Sequence, residues 1–165
     1  MSTEKHRTEV RQDEIARAAL DLISSRGMKG LRVAAVAKKV GLVPSGIYRH
    51  YRNKDEVLDA ILDYIHHRFN ANVRAAARVE GNALTRLYAL LMKHIALIRE
   101  NEAIPFVIFS AEVYTESPRR RLKLLGIIES YLSQVADLVK TGQQEKTVRA
   151  DLAPGQAVAA QGETR

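Results

Sequence analysis

The segment RVAAVAKKVGLVPSGIYRHY, residues 32–51, constrains this chain more than any other. Val33, Val36, Ala37 and Val40 recur at helical spacing over two turns, and Gly41 stops them. Ile47 and Tyr51 then lie one turn apart in a second short helix opened by Pro44, whose missing N–H had no partner in a first turn. Two short amphipathic segments joined at a glycine form a helix-turn-helix pattern. Val36, Val40, Leu42, Ile47 and Tyr51 would face inward and lock the pair.

The rest of the chain also reads as helix. Ile15, Ala19, Leu22 and Ile23 form an apolar stripe ended by Gly27, with Gly30 in the connection that follows. Asn53 and Glu56 resemble a capping box that opens a longer helix, with Val57, Leu58, Ile61, Leu62, Ile65, Phe69 and Val73 as its apolar side. A further helix carries the row Leu84, Leu87, Leu91, Ile95 and Ile98. The apolar stretch IPFVIFSAEVYTES follows, then a helix opened by Pro118 and closed at Gly142. QQEKTVRADLAPGQ reads as turn or loop, and Pro154 could begin one more helix. No strand alternation is convincing, so an all-α fold is expected. Residues 1–52 would hold the three N-terminal helices with the helix-turn-helix, and 53–165 a C-terminal helical bundle.

Charge points to a partner. The formal net charge is +7, and no Asp or Glu stands between Leu22 and Lys54. That window holds Arg26, Lys29, Arg32, Lys38, Lys39, Arg49, Arg52 and Lys54, where an ordinary surface would mix both signs. Gly46 costs about 1 kcal/mol relative to alanine inside a helix. Its presence makes sense if the backbone must approach bases closely. A recognition helix presents its N-terminal residues to the major groove. Ser45, Gly46 and Arg49 would therefore read base edges, Arg49 as a bidentate donor to guanine. Tyr48, His50 and Lys54 suit phosphates, and Lys54 stands beside a helix N-terminus that itself favours anions.

GLRVAAVAKKVGLVPSGIYRHYRNKDEVL, residues 30–58, resembles the signature of TetR-family transcriptional regulators. Gly41, Ser45-Gly46, Tyr48, His50-Tyr51 and Lys54 carry the likeness, which covers roughly a third of the chain. It implies that residues 1–52 are a three-helix DNA-binding domain and 53–165 a helical C-terminal domain for dimerisation and ligand sensing. It also implies Arg32, Pro44, Ser45, Gly46, Tyr48, Arg49, His50 and Lys54 as the DNA-binding set. Where the family often carries a capping Ser or Thr, Leu31-Arg32-Val33 stand here, and Arg32 would reach a phosphate instead. QAVAAQGETR lacks the apolar stripe of a dimer helix, so the sensing domain would be shortened.

The expected function is a ligand-responsive repressor that binds a pseudo-palindromic operator in double-stranded DNA as a homodimer. Its effector would be small and apolar or amphipathic, in a bundle pocket lined by Phe69, Leu91, Ile95, Phe106, Phe109, Tyr114 and Ile128. A helical ligand- or partner-binding protein without operator function stays open. PRRRLK, residues 118–123, is a second possible anion contact or an exposed helix start.

The absence of cysteine excludes disulfides, thiol catalysis and cysteine-ligated zinc. His66, His67 and His94 do not make a metal site, since adjacent histidines diverge on a helix. No glycine-rich phosphate loop or clustered catalytic set suggests an enzyme or cofactor. With no secretory signal and no long apolar span, no membrane is expected and the cytoplasm is the expected compartment.

Overall fold

Each helix begins and ends where the chain supplies a physical reason. The structure, a computed structural model, describes residues 2–151, with side chains over 10–43 and 45–151. Helix α1 (Ser2–Arg26) ends at Gly27, whose φ of +66° and N–H bond to the Ile23 carbonyl (2.8 Å) close the last turn. One 3₁₀ turn, Met28–Gly30, leads to α2 (Val33–Lys39) and α3 (Pro44–Tyr48). Then come α4 (Lys54–Ala77), α5 (Ala83–Glu100), α6 (Ala103–Ile108), α7 (Ala111–Tyr114) and α8 (Pro118–Gln144). There is no strand among the described residues, and the all-α expectation holds. The tail from residue 152 onward, with Pro154 and QAVAAQGETR, lies outside them.

The capping box before α4 forms with one change. The Glu56 N–H donates to Asn53 Oδ1 at 2.9 Å, while Glu56 Oε2 accepts from the N–H of Arg52 (2.8 Å) rather than of Asn53. The apolar run after α5 is not one helix. Ser110 turns extended (ψ 149°), and its side chain accepts from the Val113 N–H to start α7.

Contacts divide the described chain into two compact units, one of residues up to 67 with 98–124, the other of 68–97 with 125 onward. These units cut the chain elsewhere than the 52/53 boundary expected on functional grounds. In the first, α1 packs against α2 and α6, and α2 against α3. Val57, Leu58, Ile61, Leu62 and Ile65 of α4 are fully buried there, each worth about 1.5–3 kcal/mol of apolar transfer.

The second unit buries Phe69, Ala76, Ala83, Leu90, Leu97, Ile127 and Val139. Here α5 departs from the expected row. Leu84, Leu91 and Ile95 are 40–52% exposed, and Tyr88 (64%) and Met92 (46%) are exposed too, whereas Ala83, Leu90 and Leu97 face inward. The helix is apolar around most of its circumference, so periodicity alone could not say which face packs. Among the described residues no helix is long and apolar enough to cross a membrane.

Candidate nucleic-acid interface

The turn between α2 and α3 is built by Gly41. Its φ is +69°, and a Cβ there would meet nothing within 4 Å, so the need for glycine is conformational. The Leu42 N–H donates to the Ala37 carbonyl (2.9 Å) and the Gly41 N–H to that of Lys38 (3.3 Å), the paired bonds of a Schellman motif. Val36 and Ile47 are fully buried, Tyr51 nearly so, and Val40 and Leu42 half so. These five residues lock the two helices as expected. Burial, and secondarily the Asp63 carboxylate, raise the Tyr51 phenol above its ordinary pKa.

What remains of α3 faces outward. Ser45 and Arg49 are exposed, Tyr48 is 47% exposed and Gly46 is half-buried. At i, i+3 and i+4, Ser45, Tyr48 and Arg49 share one helix face. A Cβ on Gly46 would touch only Val43 Cγ2, at an ordinary 3.6 Å. Packing therefore does not require glycine at this position. Pro44 occupies the first turn of α3, and its side chain is outside those described. Arg32 is the exposed N-cap of α2 and makes no side-chain cap bond, so its guanidinium is not spent on the helix. His50 is exposed just after α3.

The positive patch is partly neutralised by residues that its sequence window hides. Lys39 pairs with Asp21 (3.2 Å), one residue outside the acid-free stretch. Lys54 Nζ pairs with Glu112 Oε1 (3.2 Å), from α7. The bond of Glu112 to its own backbone N–H, then Lys54 and Arg120, hold that carboxyl below its ordinary pKa against the opposing effect of burial.

Behind Lys54 lies a network that sequence reasoning missed. Arg120 Nη2 reaches Asp55 Oδ1 at 2.9 Å, its Nε reaches Asp59 Oδ1 at 3.3 Å, and its Nη1 donates to the Glu112 carbonyl. Arg119 also pairs with Asp59 (3.3 Å), and Lys123 with Asp63 (2.8 Å). Residues 118–123 are thus not a uniformly exposed basic start, because the Arg120 side chain is only 7% exposed. The signal was present as Asp55, Asp59 and Asp63 one turn apart on α4, facing Arg119, Arg120 and Lys123 on α8. The network anchors the first turns of α4, where Lys54 is placed.

Residues 15–61 match the family model for bacterial regulatory proteins of the tetR family. The matched segment runs from α1 through the helix-turn-helix into α4. The nucleoid occlusion factor SlmA of Aliivibrio fischeri is 24% identical over 131 residues, which cover 79% of this chain and 67% of that protein. The TetR-family transcriptional regulator PfmR of Thermus thermophilus superposes with a TM-score of 0.71 at 21% identity, over 88% of this chain and 80% of that one. The transcriptional regulator FadR of Bacillus subtilis, solved with stearoyl-CoA, gives a TM-score of 0.70 at 21% identity, over 87% and 77%. The likeness to these two structures is one of fold. The chain spans about two thirds of the length of the SlmA protein it matches.

The effector candidates fall in both units. Phe69, Leu91, Ile95 and Ile128 belong to the second unit, and Phe106, Phe109 and Tyr114 to the first. Phe69 is buried and Ile128 half-buried, while Phe106 (68%) and Phe109 (83%) stand well exposed. Around Phe69 the structure instead assembles His94 and Tyr131. The Phe69 and Tyr131 rings lie 4.7 Å apart, and the Tyr131 hydroxyl is 3.3 Å from His94 Nδ1. Burial lowers the His94 pKa and raises that of Tyr131. No group of three or more His, Asp or Glu among the described residues is arranged to hold a metal ion.

Proposed function

We propose that this chain is a ligand-responsive transcriptional repressor that binds a pseudo-palindromic operator as a homodimer. The observation that carries the reading is the outward face of α3. Ser45, Tyr48 and Arg49 are exposed together there, around a glycine that the fold does not need. Ser45 and Arg49 would meet base edges with the Gly46 backbone close beside them. Arg32, Tyr48, His50 and Lys54 would meet phosphates, with Pro44 setting the first turn of the recognition helix. Two copies of α3 would enter successive major grooves 34–36 Å apart.

Residues 1–52 serve DNA in this reading, and 53–165 serve sensing and assembly. The effector would be apolar or amphipathic, a class supported by the stearoyl-CoA bound to the Bacillus subtilis FadR relative. It would act by binding more tightly to a state that does not fit the operator.

The test is binding of the full chain to duplexes selected from a random library, followed across a salt series. Sequence-selective binding at two chains per site is expected, with log K falling linearly with log salt at about −0.9 per phosphate neutralised. Binding indifferent to sequence, or at one chain per site, would overturn the reading.

A further inference from the structure

A cleft of about 360 Å³ in the first unit lies between the end of α1 and the α6–α7 corner. Ile23 and Met28 line it on one side, and Phe106, Ser110 and Glu112 on the other. Its chemistry is lopsided. Phe106 presents a ring that the protein leaves 68% exposed. The Ser110 hydroxyl is already spent, donating to the Val107 carbonyl (2.9 Å) and accepting from the Val113 N–H (3.3 Å). The charged group in the lining is the Glu112 carboxylate, and the α1 end that borders the cleft is the carbonyl end of a 25-residue helix, which favours positive charge.

We propose that this cleft binds a small amphipathic organic cation, with its apolar body against Ile23, Met28 and Phe106 and its ammonium on Glu112. The same carboxylate holds Lys54. A second cation on Glu112 repels the Lys54 ammonium and loosens its ion pair, which frees Lys54 for a phosphate. This consequence rests on the proposed DNA contact of Lys54; the cleft itself does not. Coupling is reciprocal, so DNA must tighten ligand binding by the same factor.

The probes are n-butyl-, n-hexyl- and n-octylammonium ions, titrated calorimetrically into the full chain beside alkanols and alkanoates of equal length. Saturable binding of ammonium ions is expected, strengthening about fourfold per methylene buried, with alkanols weaker and alkanoates weakest. Glu112→Gln should erase the preference of ammonium over alkanol. Phe106→Ala, at an exposed ring, should flatten the dependence on chain length. Circular dichroism melts of both variants establish that each is folded. Non-saturable uptake, or binding indifferent to both substitutions in folded protein, overturns the site. Octylammonium should also raise operator affinity by about two- to fivefold, the range of a partly exposed ion pair. If it binds through Glu112 but leaves DNA affinity unchanged, the cleft stands and the Lys54 coupling falls. If DNA binding depends on Lys54 while no probe binds, the cleft falls and the DNA reading stands.

Discussion

Replacing Arg120 by Met tests the network that fixes the start of α4. The guanidinium is 7% exposed, and its removal leaves three acceptors short of a donor: Asp55, Asp59 and the Glu112 carbonyl. Breaking a fully buried ion pair costs about 3–5 kcal/mol, and two features reduce that figure here. Asp55 is 70% exposed, so water takes over its share. Asp59 is 21% exposed and keeps Arg119 at 3.3 Å. What remains is the charge-assisted bond to the Glu112 carbonyl and part of the Asp59 attraction, about 2–3 kcal/mol together. Met retains most of the buried stem, so packing adds little. For a chain of this size the melting temperature should fall by about 5–10 °C.

The assay is urea unfolding followed by circular dichroism, completed as a cycle with Asp59→Asn. Coupling of about 1 kcal/mol between the two sites is expected. Arg119→Met, at a side chain 84% exposed, should cost less than about 0.5 kcal/mol. If Arg120→Met proves no more costly than Arg119→Met, or the cycle shows no coupling, the network does not hold α4 and the reasoning fails.

Lys54→Ala should weaken binding to all DNA sequences alike and reduce the salt slope by about one; an unchanged slope would remove Lys54 from the phosphate contacts. Arg49→Ala should relax preference at one base position by about 1–3 kcal/mol, and equal loss on every sequence in a competition assay would reject base reading. Gly41→Ala must hold a φ of +69°, so urea unfolding should show a loss of about 1–2 kcal/mol, and a neutral result would mean the turn can rearrange. His94 has a folded pKa lowered by burial, so its contribution to stability is complete above its unfolded value, about 6.5. That contribution is lost as pH falls from there through the folded pKa. The urea midpoint should therefore drop less steeply between pH 8 and pH 5 in His94→Gln than in the parent chain, and parallel curves would count against it.

Local order was legible because it depends on neighbours in sequence. The spacing of Val36, Val40, Ile47 and Tyr51 around Gly41 specified two short helices and their facing sides, and the Schellman bonds are what a glycine at that place permits. Asn53 and Glu56 announced the start of α4 for the same reason. The outward set Ser45, Tyr48 and Arg49 followed once the inward residues were known.

The tertiary structure decided whatever depends on distant partners. A row of lysines and arginines does not say which cation is already spent, and Lys54 is held by a glutamate 58 residues away. PRRRLK looks uniformly basic in the sequence, yet one of its arginines is buried, where two carboxylates of α4, Asp55 and Asp59, face it. On α5 nearly every face is apolar, so only packing selects Leu90 and Leu97 over Leu91 and Ile95. Periodicity gives the faces of a helix, and long-range contact chooses which face is covered.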